Sequence, residues 1–221
     1  MISADFLERA RNNMVEQQIR TWEVLDQDVL DLLYLVPREH FVPAQHRAIA
    51  FSDLEIPLGE GEKMWQPKLE ARVLQELAVR KGDCVLEVGT GSGYLAALLS
   101  HRAGHVHTVE IKPRLADLAR ENLSRHGVDN VTLHLGDGAR GWPKHAPYDV
   151  IVLGGSTPVL PAALREQLAV GGRLFAVVGE APAMKAKIVT CTAPGAFGEV
   201  ELFETVLQPL ANAERPSRFR F

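Results

Sequence analysis

The residues best suited to chemistry in this sequence form a glycine-rich turn after a short apolar run. The run Val85-Leu86-Glu87-Val88 leads directly into Gly89-Thr90-Gly91-Ser92-Gly93. Glycines allow the backbone to turn tightly and to approach a ligand closely at the carboxyl end of a strand. Dinucleotide enzymes use the spacing G-x-G-x-x-G, whereas this chain has G-x-G-x-G preceded by Glu87. The spacing therefore favours a nucleoside ligand that lacks a pyrophosphate.

Two acidic residues follow the next two apolar runs. Glu110 ends the run 106–110 and lies 21 positions after Gly89 (110 − 89), where an acidic residue suits ribose hydroxyls. Asp137 follows the run 131–135, and its carboxylate can accept from an exocyclic amine such as that of adenine. Each residue alone is more often a turn or strand-end residue, but their joint occurrence favours a nucleoside cofactor. The predicted cofactor-binding residues are Glu87, Gly89, Thr90, Gly91, Gly93, Glu110, Ile111, Asp137 and Gly138.

These residues require strands that end at one edge of a sheet. After Gly82, short apolar runs alternate with stretches of helical periodicity, which predicts a parallel sheet with helices on both faces. The predicted strands are 84–88, 106–110, 131–135, 150–153 and 173–178, and the predicted helices are 94–101, 113–125 and 161–168. Two later runs, 187–192 and 199–209, flank a segment with Pro194 and Gly195 and predict a closing β-hairpin.

The first 80 residues have a different, mostly helical organisation. Apolar residues recur at helical spacing in 4–19 and 26–36, and Asp26 is a suitable N-cap for the second helix. Pro67 suits the first position of a third helix, and the segment 41–67 is interpreted as irregular. We predict an N-terminal helical and substrate-loop region at 1–80, a cofactor-binding core at 81–210 and a C-terminal tail at 211–221.

Composition disfavours several other classes of protein. The chain has 221 residues and a formal net charge of −4, which suits one sizeable domain and disfavours a nucleic acid partner. A signal-peptide core and a bilayer-spanning apolar run are both missing from the sequence, so we predict a cytoplasmic protein without a membrane partner. Cys84 and Cys191 form no CxxC pair. His101, His105 and His107 are close in sequence, but no nearby Asp or Cys completes a ligand set, so we predict no metal.

The order of the predicted elements resembles the class I methyltransferase fold. That fold is a doubly wound, Rossmann-like α/β sheet of seven mostly parallel strands, with a seventh, antiparallel strand inserted beside the last parallel one. The resemblance implies S-adenosylmethionine as the cofactor rather than a nicotinamide, with S-adenosylhomocysteine as the product. We therefore expect this sheet together with an N-terminal helical extension and a C-terminal antiparallel β-hairpin.

Four short strings narrow the resemblance further. They are Met14-Val15-Glu16-Gln17-Gln18-Ile19, Val36-Pro37-Arg38-Glu39-His40-Phe41-Val42-Pro43, Ile56-Pro57-Leu58-Gly59 and Gly136-Asp137-Gly138-Ala139-Arg140-Gly141-Trp142. These strings resemble the protein-L-isoaspartate O-methyltransferase family, and the likeness extends to Gln208-Pro209-Leu210. It implies methyl transfer from S-adenosylmethionine to the free α-carboxylate of an isoaspartyl residue in damaged protein. We expect a monomer or weak homodimer. In-line positioning and desolvation should supply most of the acceleration, since the carboxylate is already an anion.

The chain departs from that family's pattern at two places. Family members typically read Gly-Gln-Thr-Ile-Ser-x-Pro before the third helix, whereas residues 61–67 read Gly-Glu-Lys-Met-Trp-Gln-Pro, so Trp65 replaces the serine. At Leu153-Gly154-Gly155-Ser156 the family usually has Thr-Ala-Ala. An indole cannot donate the serine's hydrogen bond, and its bulk would narrow a cavity meant for a peptide.

The residue that acts directly in the reaction is left unassigned by the sequence. The residues predicted to border the acceptor are Met64, Trp65, Gln66, Pro67 and Ser156, the last as a replacement hydroxyl. Trp65 has three interpretations: it stacks on a small planar acceptor, it covers the cofactor, or it merely covers the core. A methyltransferase with another acceptor and a non-catalytic cofactor-binding protein are the alternative functions.

Overall fold

The computed structural model describes residues 3–215. Its α-helices are α1 Ala4–Asn13, α2 Gln27–Leu35, α3 Pro67–Leu77, α4 Tyr94–Ser100, α5 Pro113–Arg125 and α6 Ala162–Glu166. Its strands are β1 Ile56–Gly59, β2 Glu62–Met64, β3 Cys84–Val88, β4 His105–Glu110, β5 Val131–Leu135, β6 Tyr148–Thr157, β7 Leu168–Glu180, β8 Ala183–Ala193 and β9 Ala196–Glu204. No helix within 3–215 is long and apolar enough to cross a membrane. Of the tail predicted at 211–221, residues 216–221 lie outside the described residues.

Seven strands form the main sheet in the order β5-β4-β3-β6-β7-β8-β9. Strands β3 to β7 are parallel, β8 is antiparallel to β7, and β9 is antiparallel to β8. This confirms the doubly wound, mostly parallel fold. The expected C-terminal antiparallel hairpin is also confirmed, since β8 lies beside β7, the last parallel strand; the seventh strand, β9, forms the edge of the sheet and is not inserted. Only residues 181–182 link β7 to β8, and only 194–195 link β8 to β9. Links this short place consecutive strands side by side as antiparallel neighbours.

Several predicted boundaries differ from those in the structure. The helix predicted at 4–19 ends as an α-helix at Asn13, and Met14–Ile19 continues it as a π-helical turn. The segment 41–67, predicted to be irregular, contains the β1–β2 hairpin. The strand predicted at 199–209 leaves the sheet after Glu204. The strands β1 and β2 are short, and β1 contains Pro57 and Gly59, so an alternating apolar pattern is too brief to detect in them.

Two apolar cores cover the two faces of the main sheet. The larger core joins the N-terminal helices, α3 and α4 to inward residues such as Val85 and Val150, and it includes Trp65. The smaller core packs Leu86 and Val88 against α6 and the segment before β6. Because side chains alternate across a strand, Glu87 faces the larger core while its neighbours Leu86 and Val88 face the smaller one.

Candidate active site

A groove lies at the carboxyl ends of β3, β4, β5 and β6. The groove has about 750 Å³ of empty volume when the open solvent at its mouth is included. Six predicted cofactor-binding residues line it: Gly89, Gly91, Glu110, Ile111, Asp137 and Gly138. The parallel strands bring these residues together because their carboxyl ends meet at one edge of the sheet.

The glycine-rich turn has the backbone that its sequence predicts. Gly89, Gly91 and Gly93 have φ values of 96°, 54° and 82°, which is a region that favours glycine. A Cβ on Gly93 would lie 3.3 Å from the Ala119 side chain, so this glycine allows α4 to pack closely on α5. Gly93 does not line the groove, and we infer that its role is in packing rather than in ligand contact.

Glu110 is buried beside the glycine-rich turn, with a relative exposure of 4%. Its Oε2 accepts from the Gly91 backbone N–H at 2.9 Å, and its Oε1 accepts from the Lys112 N–H at 3.0 Å. These two bonds fix the carboxylate plane at the end of β4. Each oxygen keeps a free lone pair, so the carboxylate can also accept from two neighbouring hydroxyl groups.

Asp137 lines the same groove after the end of β5. Its Oδ1 accepts from the Ala139 N–H at 2.9 Å, and its Oδ2 accepts from the Asn212 side chain at 2.9 Å. A Cβ on the following Gly138 would lie 2.8 Å from the Val88 side chain, so only glycine fits there. The loop therefore packs directly on β3 and presents an acceptor carboxylate to the groove.

Glu87 does not line this groove, contrary to the direct contact predicted for it. Its side chain is 1% exposed and faces a small inner cavity behind the glycine-rich turn, whose empty volume of about 350 Å³ includes open solvent. Its Oε2 accepts from the Thr108 hydroxyl at 2.5 Å, and Thr90 donates in turn to Thr108 at 2.6 Å. The Oε1 of Glu87 and the hydroxyl of Tyr94 are buried without a partner among residues 3–215. Glu87 and Thr90 thus support the turn from behind.

Glu87→Gln should stabilise the protein at high pH. Burial raises the pKa of Glu87 from its ordinary value of 4.5 to about 8. The hydrogen bond from Thr108 acts in the opposite direction and lowers this pKa. The proton on folded Glu87 supplies stability that is fully present below the unfolded pKa and is lost as pH rises through about 8. Glutamine does not titrate, so its advantage in unfolding free energy over wild type should grow by ~2–4 kcal/mol between about pH 5 and about pH 9. Urea unfolding measures this, and a difference independent of pH would contradict it.

Trp65 and Gly154, which belong to the two places where the chain departs from the family pattern, contact each other. The Trp65 indole Nε1 donates to the Gly154 carbonyl oxygen at 3.0 Å, across 89 positions of sequence. The ring is 7% exposed, and its centroid lies 6.3 Å from that of Phe175 in an edge arrangement. A Cβ on Gly154 would lie 2.7 Å from the Gly89 oxygen, so a family alanine does not fit this backbone. Trp65 therefore covers the core and also forms one wall of the groove.

Arg38, from the string 36–43, holds the backbone of Trp65 from inside the protein. Its side chain is fully buried and pairs with Glu70 on α3, which is itself 2% exposed. The guanidinium also donates to the Ala50 carbonyl oxygen at 2.8 Å and to the Trp65 carbonyl oxygen. One buried cation thus connects α3, the 41–67 segment and the wall of the groove.

A second groove adjoins the first. It encloses about 1390 Å³ of empty space, open solvent included, and it is lined by Met184, Val206 and Arg215 among others. Both grooves share Glu55, Lys63 and the segment 207–210. The Lys63 ammonium lies 2.9 Å from Glu55 and places a cation at the junction. No sequence signal pointed to Glu55 or Lys63.

The predicted acceptor residues are only partly brought together. Met64 lines the inner cavity with Trp65, while Gln66 is the N-cap and Pro67 the first residue of α3. Ser156 borders the second groove, but its side chain is fully buried and its hydroxyl donates to the Leu207 carbonyl oxygen at 2.9 Å. The hypothesis that Ser156 replaces the missing serine hydroxyl is therefore not supported. Its hydroxyl instead secures the segment 207–210.

The β1–β2 hairpin bridges the groove from above. The Gln208 side chain donates to the Gly61 carbonyl oxygen at 3.1 Å and to Glu62 at 3.0 Å. On the other side, the Lys112 ammonium donates to the Glu60 carbonyl oxygen at 2.5 Å and pairs with Glu62. The hairpin is thus tied to both margins of the groove and limits access of water from above.

Comparison with known proteins gives one consistent result. A family model for protein-L-isoaspartate(D-aspartate) O-methyltransferase matches residues 9–214. A protein-L-isoaspartate O-methyltransferase from Methanoculleus marisnigri is 46% identical over 178 residues, covering 80% of this chain and 81% of the relative. A relative of the same name from Rhodopseudomonas palustris is 41% identical over 203 residues, covering 91% of this chain and 93% of its own.

Solved structures agree with the sequence comparison. A protein-L-isoaspartate O-methyltransferase superposes with a TM-score of 0.79 at 26% identity, over 91% of this chain and 66% of the solved one. A structure from Plasmodium falciparum in complex with S-adenosyl-L-homocysteine also superposes with a TM-score of 0.79, at 20% identity over 91% of this chain and 98% of its own. At that identity the second likeness shows the fold alone.

Proposed function

Because the chain belongs to the protein-L-isoaspartate O-methyltransferase family, we propose that it methylates the free carboxylate of isoaspartyl residues in damaged protein. Membership of this family makes the chain an S-adenosylmethionine-dependent methyltransferase. The observation that carries the acceptor assignment is the junction of two grooves, one lined by the predicted cofactor-binding residues and one that adjoins it at Lys63 and the segment 207–210. Activity as a monomer or weak homodimer, in the cytoplasm and without nucleic acid, stays a prediction.

The residues of the first groove fit S-adenosylmethionine. We propose that Glu110 accepts from its ribose hydroxyls and that Asp137 accepts from its adenine amine, with Gly89, Gly91 and Gly138 allowing close approach. The Oε1 of Glu87 is a buried polar atom without a partner among residues 3–215 behind the turn, and it offers one hydrogen-bonding group to the ligand or to a water that bridges to it. When bound, the cofactor supplies a methyl group attached to a sulfonium sulfur, and this sulfur becomes a neutral thioether when the methyl group is transferred.

The chain's own contribution is positioning. The acceptor is already a carboxylate anion, so no group has to remove a proton from it before attack. Lys63 places a cation where the two grooves meet, and it can exchange its partner Glu55 for the acceptor carboxylate. Trp65 is a buried wall of the first groove and Leu207 a buried wall of the junction, and both exclude water that would otherwise solvate the carboxylate.

The proposal is tested by a radiolabelled methyl-transfer assay on an isoaspartyl peptide and on its aspartyl counterpart. We expect transfer to the isoaspartyl peptide alone, with S-adenosylhomocysteine binding measured separately by calorimetry. Cofactor binding without transfer to either peptide would overturn the acceptor assignment. It would favour a different acceptor, such as a small planar molecule, or a protein that binds the cofactor without turnover.

Trp65→Phe tests whether the indole is a positioning group or an obstacle. Phenylalanine keeps most of the buried surface but loses the Nε1 bond to Gly154. We expect a loss of about 1 kcal/mol in stability, and about a tenfold lower kcat/KM because the Gly154 carbonyl is no longer held. The same transfer assay measures the rate. A rate on isoaspartyl peptide above that of wild type, in this variant or in Trp65→Ser, would show instead that the indole obstructs the peptide.

A further inference from the structure

Three histidines meet on one face of the sheet, away from both grooves. His107 lies on β4, His134 on β5, and His145 in the short helical turn Pro143–His145. The Nδ1 of His107 lies 3.2 Å from the Nε2 of His134. One ring nitrogen from each of the three residues lies within 4.8 Å of the others. All three side chains are partly exposed, so a solute can reach them.

We propose that His107, His134 and His145 bind a divalent transition metal ion, with Zn²⁺ as the reference ion. Zinc binds imidazole nitrogens at about 2.0–2.1 Å, so neighbouring ligands of a tetrahedral ion lie about 3.3–3.4 Å apart. The His107–His134 separation of 3.2 Å already has this spacing. A water molecule would take the fourth position, as in other zinc sites with three protein ligands.

The third ligand needs a small rotation. The His145 ring stacks on the His107 ring with centroids 4.1 Å apart and planes within 9° of parallel. A nitrogen lone pair lies in the plane of its ring, so two stacked rings cannot both aim at one ion. Turning His145 about its Cβ–Cγ bond corrects this, and that torsion has a broad energy profile in histidine. The backbone can therefore keep its place.

The donor set decides the class of metal. The group consists of imidazoles alone, which suits Zn²⁺, Ni²⁺ and Cu²⁺, whereas Mg²⁺ and Ca²⁺ require oxygen ligands. Lys144 precedes His145 in the same helical turn, and its positive charge opposes a bound cation. Removing that charge should strengthen binding.

The sequence did not indicate this set of residues. Of the histidines close in sequence, His101 and His105 are outside the group, and only His107 belongs to it. The parallel pairing of β4 with β5 brings His134 alongside His107, and the helical turn Pro143–His145 supplies His145. The prediction of no metal considered sequence neighbours only.

A bound ion would fasten the segment that follows β5. His134 lies three residues before Asp137 (137 − 134), and His145 ends the stretch that leads from Asp137 to β6. Trp142, within this stretch, packs on the His134 ring with centroids 5.3 Å apart and lies against Gly136. Metal binding should therefore stabilise the loop that carries Asp137, and thereby the whole fold.

The test is a titration of the untagged, metal-free protein with Co²⁺ as a spectroscopic probe, followed by displacement with Zn²⁺. We expect one equivalent of Co²⁺ with the visible absorption of a tetrahedral site, and a higher Tm with Zn²⁺. His134→Ala and His145→Ala should each weaken binding by at least ~10-fold and abolish the Tm shift. Lys144→Gln should bind a few-fold more tightly.

His101→Ala is the matched control, because His101 is an exposed histidine outside the group. We expect it to leave the affinity for Co²⁺ unchanged. Circular dichroism of each metal-free variant separates loss of a ligand from loss of folding. Equal weakening by His101→Ala, or unchanged affinity in His134→Ala and His145→Ala, would overturn the proposal. Neither result depends on whether the protein methylates isoaspartyl residues.

Discussion

Arg38→Met should lower the free energy of unfolding by about 3–5 kcal/mol, because it leaves a buried carboxylate without its partner. Arg38 is fully buried, and Glu70, with which it pairs, is 2% exposed. The same guanidinium donates to the carbonyl oxygens of Ala50 and Trp65, and these acceptors would also be left unpaired. Chemical denaturation monitored by circular dichroism measures the loss.

Two further variants separate the ion pair from general packing. The double variant Arg38→Met with Glu70→Leu removes both charges, and we expect it to recover more than half of the lost stability. Arg9→Met breaks the exposed pair with Asp5, in which both side chains are 73% exposed, and should change stability by less than ~0.5 kcal/mol. The interpretation fails if the double variant is as unstable as Arg38→Met alone.

Glu110→Gln should weaken binding of S-adenosylhomocysteine by ~100-fold, which corresponds to ~2.7 kcal/mol. The Glu110 carboxylate accepts from the N–H groups of both Gly91 and Lys112. Glutamine has the same shape, but its amide N–H₂ would face one of these two donors. Two donors then face each other, and one charged acceptor for the ribose is lost. Calorimetry with purified variants gives the dissociation constants directly.

Asp117→Asn is the control for the change in net charge. Asp117 lies on α5 with a side chain 75% exposed, and it pairs only with its neighbour Arg120 among the described residues. We expect less than a twofold change in its affinity for S-adenosylhomocysteine. Unfolding curves for both variants show whether each is folded at the temperature of the titration. An unchanged affinity in Glu110→Gln would remove Glu110 from the proposed cofactor site.

The sequence predicted the part of the site that local structure determines. Gly89 and Gly91 could be identified because an apolar strand changes to a tight turn at these residues. Glu110 and Asp137 could be identified because each follows the end of a predicted strand. In a parallel sheet those ends meet at one edge whatever the detailed packing. Glu87 was placed on the correct strand, but alternation of side chains turns it into the larger core, behind the turn.

The tertiary structure alone decided which distant side chains meet. Trp65 bonds to Gly154, Ser156 to Leu207, and His107 lies beside His134, over separations of 27 to 89 positions. Hydrophobic periodicity identifies elements and their inward faces, but it carries no information on which side chains of different elements are neighbours. That choice depends on strand order, register and close packing of the whole chain, which is why the acceptor end and the histidine group emerged only in the folded protein.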